Sequence, residues 1–274
     1  MTREAELAAL EERIVASRNC PRLMEYIETI SKVKVRRYRG QEYWGKPVPG
    51  FGDPYARLLI IGLAPAAHGG NRTGRMFTGD SSGDWLMRAL YETGFANQPK
   101  SISRDDGLRL QGAFITALVR CAPPDNKPTR EEILESLGFL SEELRLLEDV
   151  VVVVTLGRLA FEYYGRLVGA PRSMTFKHGA AYKQKQGGPT LVASYHPSRQ
   201  NTQTGRLRWP EWLGIFQTAR RLVEGEVDDA QGRRVDDHAD EQRSELMRKA
   251  GDKVAERHEL DVLRKAGQHD QASE

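Results

Sequence analysis

Apolar residues in the first 224 positions follow two patterns, short continuous runs and stretches with helical spacing. Four runs have the length of a buried strand, at 58–61, 113–119, 150–156 and 190–194. Helical spacing covers 1–16, a run from Cys20-Pro21-Arg22 to Val33, then 84–94, 130–147, 156–167 and a last stretch through Trp212 and Phe216. Because strands that alternate with helices favour a parallel sheet covered on both faces, we expect a three-layer α/β/α fold with a central, mainly parallel four-stranded sheet.

The pattern changes after Glu224. Residues 225–274 contain 14 acidic and 9 basic side chains, no aromatic residue and few large aliphatic ones. The stretches 240–250 and 252–265 have only a thin apolar stripe, which is too little for a packed helix face. We therefore expect one folded domain at 1–224 and a charged, weakly packed or helical tail at 225–274.

Polar loops rich in glycine and proline follow three of the predicted strands. Their sequences are GLAPAAHGGNRTGRMFTGD (62–80), RCAPPDNKPT (120–129) and YHPSRQNTQTGR (195–206). In open parallel sheets, ligands bind at the carboxyl ends of the strands. We expect these three loops to converge on one site.

Charge favours an anionic partner for the folded part. Residues 1–224 carry 32 basic and 24 acidic side chains, whereas the tail has a net charge of −5. A nucleic acid fits this distribution, and an ordinary basic surface is an equal alternative. No apolar run approaches the ~20 residues that span a bilayer, and the N-terminus lacks the apolar core of a signal peptide. We expect a cytoplasmic protein without a membrane segment.

The three loops, in this order and spacing, resemble those of the uracil-DNA glycosylase superfamily, and within it the family-five, or type B, branch. The resemblance covers roughly 15–222 and includes EYWGKPVPGFGDP at 42–54. It implies the uracil-DNA glycosylase-like fold and a monofunctional DNA repair enzyme. Such enzymes flip deaminated bases out of DNA and hydrolyse the N-glycosidic bond, which leaves an abasic site. We expect a monomer that acts on double- and single-stranded DNA and requires no cofactor for catalysis.

The resemblance implies two catalytic residues and a stacking residue. Asp80 would orient water or stabilise the sugar cation, and His196 would donate a hydrogen bond to the anionic base. Phe77 would stack on the flipped base. The alternatives are a helix cap near Asp84 for Asp80 and a place in the core for Phe77.

Further candidates would contact the base or the DNA backbone. The substrate-binding candidates are Gly62, Ala64, Asn126 and Asn201, and a simple turn is the alternative role for Asn126. The candidates for DNA phosphate are His68, Arg72, Arg75, Ser198, Arg199 and Arg206.

The first loop and the second strand depart from the related family-four pattern. The first loop has Ala64, Ala66 and Ala67 where a polar residue is usual, and the second strand has Ala117 where an asparagine reads the edge of uracil. An apolar pocket discriminates poorly between bases. It contains no polar groups that the wrong base would leave without a hydrogen-bond partner. We expect a broad substrate range that includes hypoxanthine and xanthine besides uracil.

The cysteines depart from the family pattern as well. Members typically hold a four-iron cluster with four cysteines, and this chain has only Cys20 and Cys121. Ser17 and Ser136 occupy the other two ligand positions, and a serine hydroxyl is a far poorer iron ligand than a thiolate. We expect the cluster to be lost and packing to replace it.

Two other functions compete with the glycosylase. A non-catalytic DNA-lesion-binding protein on the same fold would not need Asp80 and His196. An enzyme that processes nucleotides or phosphoesters would be expected to have a Lys-Ser/Thr pair after the glycines or clustered carboxylates, and the sequence has neither.

Overall fold

The computed structural model describes residues 1–184 and 187–225. In this part of the chain, six strands form one sheet in the order β1-β3-β2-β4-β6-β5. Their bounds are Phe51–Gly52 (β1), Leu58–Gly62 (β2), Ala113–Ala117 (β3), Val152–Leu156 (β4), Ala181–Tyr182 (β5) and Thr190–Ser194 (β6). The four central strands are parallel, and Ile60 of β2 pairs with Ile115 of β3 and Val154 of β4.

The four predicted strands are these four parallel strands, and the sheet has two more. Strands β1 and β5 pair antiparallel with β3 and β6 at the two edges. Each has only two residues, and none of the four is buried. Because such short, partly exposed strands contain no apolar run, the hydrophobic pattern could not indicate them.

Eight helices surround the sheet in the described part of the chain. Their bounds are Arg3–Ala16 (α1), Pro21–Val33 (α2), Gly70–Thr73 (α3), Ser81–Glu92 (α4), Arg130–Leu146 (α5), Arg158–Leu167 (α6), Arg199–Gln203 (α7) and Trp209–Val223 (α8). Sequence features explain where two of them begin. Pro21 occupies the first turn of α2, and α5 begins with a reciprocal capping box between Thr129 and Glu132.

Alternating strand residues build two cores, one on each face of the sheet. Leu59 and Ile61 of β2 pack with α1, α2, α5 and α6, whereas Leu58 and Ile60 pack with α4 and α8. The predicted three layers are therefore confirmed. The predicted tail lies outside the described residues, except for Gly225. None of the helices described is long and apolar enough to cross a membrane.

Candidate active site

Loops at the carboxyl ends of the four parallel strands enclose a cavity of about 730 Å³, a volume typical of small-molecule sites. All three predicted loops contribute to its wall. Seven of the predicted site residues line it: Ala64, Phe77, Asp80, Asn126, His196, Ser198 and Arg199. A fourth loop after β4 also contributes, through Gly157, Arg158 and Leu159. Sequence reasoning missed this loop, although a glycine and an arginine directly after a strand resemble the signal used for the others.

Asp80 caps helix α4 with one of its two carboxylate oxygens. Oδ1 accepts the backbone N–H groups of Ser82 and Gly83, both at 2.9 Å. Oδ2 makes no hydrogen bond to the described residues and lies so close to Gly69 that a Cβ there would be 2.0 Å away. Burial raises the pKa of Asp80, although the two N–H groups act in the opposite direction. The capping role is thus real, and it uses only one of the two carboxylate oxygens.

Phe77 presents its ring to the cavity from a strained backbone. Its φ of +49° lies in the left-handed region, which costs a residue with a side chain about 1–2 kcal/mol. Gly62 at the end of β2 lies against this ring, and a Cβ on Gly62 would be only 3.0 Å from the ring. Gly62 therefore gives the ring its space and does not itself line the cavity.

His196 lies beside Phe77 in the loop that follows β6. The two rings are 5.9 Å apart with an interplanar angle of 33°. Burial lowers the pKa of His196 to about 4, so the imidazole is neutral at pH 7. A neutral imidazole has one N–H to donate to a ligand in the cavity.

The loop around His196 is held by its own polar residues. Asn201 donates its Nδ2–H to the backbone carbonyl of His196 at 2.8 Å. Ser198 caps α7 by accepting the backbone N–H of Asn201. Asn201 thus anchors this loop from behind, while Ser198 also faces the cavity.

Asn126 is on the opposite wall, in a turn that follows β3. It is exposed, and its φ of +57° and that of Asp125 (+53°) both lie in the left-handed region. Both residues line the cavity. The tight turn predicted as the alternative for Asn126 is therefore present, and the same turn directs two polar residues to the site.

Arg75, which was predicted to contact DNA phosphate, is buried and forms its contacts within the protein. Its side chain is only 7% exposed and forms an ion pair with Asp106 at 2.8 Å. It also donates to Thr78, Ser101 and the carbonyl of Arg104. These bonds occupy the guanidinium within the protein, so Arg75 holds the loop 101–106 against the first loop (62–80). A single arginine in a sequence gives no sign of such a distant partner.

His68 and Arg72 lie outside the cavity and support its first loop. His68 Nδ1 is 3.0 Å from the Tyr43 hydroxyl, and Arg72 donates to the carbonyls of His68 and Gly79. The guanidinium of Arg72 also lies 4.1 Å from the centre of the Tyr38 ring. Both residues are partly exposed, so a phosphate contact stays a prediction for each.

Arg206 is exposed at the end of the third loop. Its guanidinium lies 4.5 Å from the centre of the Tyr195 ring, directly before His196. On its other side the Tyr195 ring stacks on His178, 4.8 Å away. His178 was also missed from the sequence, because it precedes β5, a strand that the apolar pattern did not indicate.

The four positions that correspond to cluster ligands lie together, away from this cavity. Ser17, Cys20, Cys121 and Ser136 line one small cavity that shares no residue with the first. The Cys20 Sγ atom is 3.8 Å from the Ser136 hydroxyl. Burial raises the pKa of both thiols, that of Cys121 to about 12, so both are protonated at pH 7.

This donor set does not fit a four-iron cluster. Such clusters are held by four cysteine thiolates, and the corner offers two cysteines and two serine hydroxyls. Within the residues that the structure describes, no group of three or more His, Cys, Asp or Glu side chains is placed to hold a metal ion. Loss of the cluster stays a prediction.

Comparison with known proteins identifies the relatives of this chain. The family model of the uracil DNA glycosylase superfamily matches residues 49–217. The type-5 uracil-DNA glycosylase of Thermus thermophilus is 51% identical over 216 residues, which are 78% of this chain and 97% of the relative. That of Mycobacterium leprae is 47% identical over 217 residues, 78% of this chain and 94% of the relative. The type-4 uracil-DNA glycosylase of Pyrobaculum aerophilum is only 29% identical over 200 residues, 72% of this chain and 88% of the relative.

Proposed function

Because the chain belongs to the uracil DNA glycosylase superfamily, we propose that it removes uracil from DNA by hydrolysing the bond between the base and deoxyribose. The observation that carries this proposal is the shared cavity of Phe77, Asp80 and His196 at the carboxyl ends of the parallel strands. An aromatic face, a neutral donor and a carboxylate are the three groups that this hydrolysis requires.

His196 acts on the leaving base. When the glycosidic bond breaks, the base takes negative charge, much of it on a carbonyl oxygen. A neutral imidazole can stabilise this charge by donating its N–H, as the donors of an oxyanion hole do. The low pKa of His196 supports the role, because the ring is neutral before the reaction begins.

Asp80 acts on the sugar and the water. The sugar becomes oxocarbenium-like as the base leaves, and a nearby carboxylate stabilises that cation or orients the attacking water. The Oδ1 atom of Asp80 is held by two backbone N–H groups, so the position of Oδ2 is fixed without help from substrate.

The cavity wall favours a broad substrate range. Alongside Phe77, its apolar lining includes Leu63, Ala64, Ala66 and Met76. This apolar part of the wall imposes little penalty on a base with a different hydrogen-bonding edge, while polar residues such as Asn126 line other parts of the cavity. We propose that hypoxanthine and xanthine are removed as well as uracil.

Exposed cations around the mouth of the cavity would bind the DNA backbone. Arg158 and Arg199 line the cavity and are exposed, and Arg206 is exposed on the same loop as His196. Phosphate contacts of this kind give affinity without sequence preference. We propose that a monomer binds single- or double-stranded DNA in this way.

The proposal is tested with duplex DNA that contains one uracil. We expect alkali-labile abasic sites to appear with wild-type protein, and excision to fall about 100-fold or more in Asp80→Ala and His196→Ala. DNA binding by both variants should change little. Binding without excision by the wild-type protein would instead indicate the non-catalytic lesion binder.

The same substrate tests whether the enzyme is monofunctional. Strand cleavage through a Schiff base requires a lysine amine at the sugar. Lys127, which follows the Asn126 turn, is the one lysine in the three predicted loops, and it is not among the residues that line the cavity. We expect borohydride to trap no covalent protein–DNA adduct, and a trapped adduct would contradict the proposal.

A further inference from the structure

His178 contacts the loop that contains His196, although it is not part of the cavity wall. The backbone N–H of Tyr195 donates to His178 Nδ1 at 3.1 Å. The rings of His178 and Tyr195 are stacked, 4.8 Å apart with an interplanar angle of 12°. The antiparallel pairing of β5 with β6 brings His178 to this place, since Gly179 also donates its backbone N–H to Ala193 at 2.8 Å.

The chain at His196 is therefore held on both sides by a side chain. His178 binds the N–H of the residue before His196, and Asn201 binds the carbonyl of His196 itself at 2.8 Å. A third contact lies at the start of this loop, where Gly157 donates its N–H to the carbonyl of Ser194, the last residue of β6, at 2.8 Å. Together these contacts hold the backbone on both sides of His196.

The hydrogen bond from Tyr195 requires one particular state of His178. Nδ1 can accept an N–H only when it carries no proton, so the ring is neutral with its proton on Nε2. Burial lowers the pKa of His178, which agrees with this state, although Glu211 acts in the opposite direction. His178 thus acts as a fixed acceptor at neutral pH.

We propose that His178 is a positioning residue for excision: its Nδ1 holds the Tyr195 backbone so that His196 faces the leaving base. This inference rests on the proposed function of His196. A small displacement of a catalytic group can cost about 100-fold in rate, so the loss of one such contact should be measurable.

Two substitutions separate the hydrogen bond from the stacked ring. His178→Phe keeps a ring against Tyr195 and removes the acceptor, whereas His178→Asn removes the ring and keeps an acceptor, Oδ1, near the place of Nδ1. We expect single-turnover excision of uracil to fall about 10- to 100-fold in His178→Phe. His178→Asn should recover to within about threefold of wild type, and DNA affinity should stay within about twofold for both.

A further variant tests the position of the acceptor, and melting temperatures test folding. His178→Gln places its amide near the position of Nε2, out of reach of the Tyr195 N–H, and should lose activity as His178→Phe does. Melting temperatures of all three variants show whether the fold survives. The inference would be overturned if His178→Phe and His178→Gln excised uracil at the wild-type rate. It would also be overturned if the Asn and Phe variants lost equal fractions of the excision rate.

Nuclear magnetic resonance tests the same contact without turnover. We expect the ¹⁵N signals of the His196 ring to shift in His178→Phe and to stay near their wild-type positions in His178→Asn. Unchanged His196 signals in both variants would also overturn the inference. If wild-type protein does not excise uracil, the proposed function fails, and these signals still decide whether His178 positions His196.

Discussion

At the scale of single residues, Asp80 combines a structural and a chemical role. Its Oδ1 atom completes the first turn of α4, and its Oδ2 atom is free of hydrogen bonds to the described residues. Deleting the side chain would therefore affect both the helix and the reaction. An isosteric substitution can separate the two.

We predict that Asp80→Asn abolishes excision and preserves the fold. Asparagine is as good an N-cap as aspartate, so the cap survives while the charge is lost. Excision should fall about 100-fold or more. The melting temperature should equal or exceed that of wild type, because a charge disfavoured by burial has been removed.

The matched control is Asp80→Ala, which loses both the charge and the cap. Its melting temperature should fall, since the loss of a cap typically costs about 1 kcal/mol. Full excision by Asp80→Asn would show that the residue is only a helix cap.

The pH dependence of excision follows from the pKa shifts of the histidines and of Asp80. Burial lowers the pKa of His196 to about 4, and it also lowers the pKa of His68 and His178. All three rings should therefore remain neutral to lower pH than an ordinary histidine, whose pKa is about 6.5. Asp80 titrates above its usual value and should determine where activity falls on the acid side.

We predict that the single-turnover rate is flat from about pH 8 to the ordinary histidine pKa of about 6.5, and declines only at lower pH. The measurement is excision of uracil at saturating protein across this range, with DNA binding followed in parallel. A loss of rate with a midpoint near pH 6.5, at constant binding, would contradict this prediction and show that a histidine or Asp80 titrates near that pH.

At the scale of elements, the corner between α2 and α5 is held by side chains. Arg22 of α2 donates two hydrogen bonds to Glu132 of α5, at 2.7 and 2.8 Å. Beside this ion pair, Cys20 contacts Ser136, and Cys121 contacts Met24. These contacts join the elements that four cysteines would join through iron.

We predict that anaerobically purified wild-type protein is folded and contains no stoichiometric iron. Ser17→Cys with Ser136→Cys should then bind iron and sulfide, because four thiols would line one cavity. Iron and acid-labile sulfide are measured together with the visible absorption spectrum.

A control for thiol content is Ser17→Cys with Ser141→Cys, because Ser141 is on α5 but does not line that cavity. It should gain no iron. Stoichiometric iron in the wild type would contradict the prediction, and no gain in the Ser136 double variant would show that the corner has been remodelled.

Comparison of the predicted and observed strands and loops shows which parts of the structure the sequence alone could predict. The short apolar runs at 58–61 and 190–194 predicted β2 and β6, and the loops after them correctly indicated one shared cavity. The sequence did not indicate that Arg75 forms an ion pair, and it did not indicate His178 at all. Both roles depend on partners distant in sequence. Asp106 lies 31 residues after Arg75, and Tyr195 lies 17 residues after His178.

At the scale of the whole molecule, the arginine side chains differ in whether they are already paired within the protein. Arg199 is exposed at the cavity, whereas Arg75 is buried with Asp106. Only an arginine whose charge faces solvent can release counterions from DNA. The two residues therefore offer a matched comparison.

We predict that Arg199→Gln weakens binding to undamaged duplex and reduces the salt slope by about 1. Arg75→Gln should leave the slope unchanged and lower the melting temperature, because it leaves Asp106 without its cation. Fluorescence anisotropy at several salt concentrations measures the first effect. A reduced slope in a folded Arg75→Gln variant would restore Arg75 as a phosphate contact.

The crowding around Phe77 and Asp80 restricts how this protein can diverge. A Cβ at Gly62 would press on the Phe77 ring, and a Cβ at Gly69 would collide with Asp80 Oδ2. Substitution of Gly69 would displace the Asp80 carboxylate, and substitution of Gly62 would require the Phe77 ring to shift by a few tenths of an ångström. Ala64 and Ala66 line the cavity as small side chains, so adaptation to a new lesion has room to proceed there. Gly62 and Gly69 thus preserve the geometry of the reaction, whereas substitutions at Ala64 and Ala66 can change which base is removed.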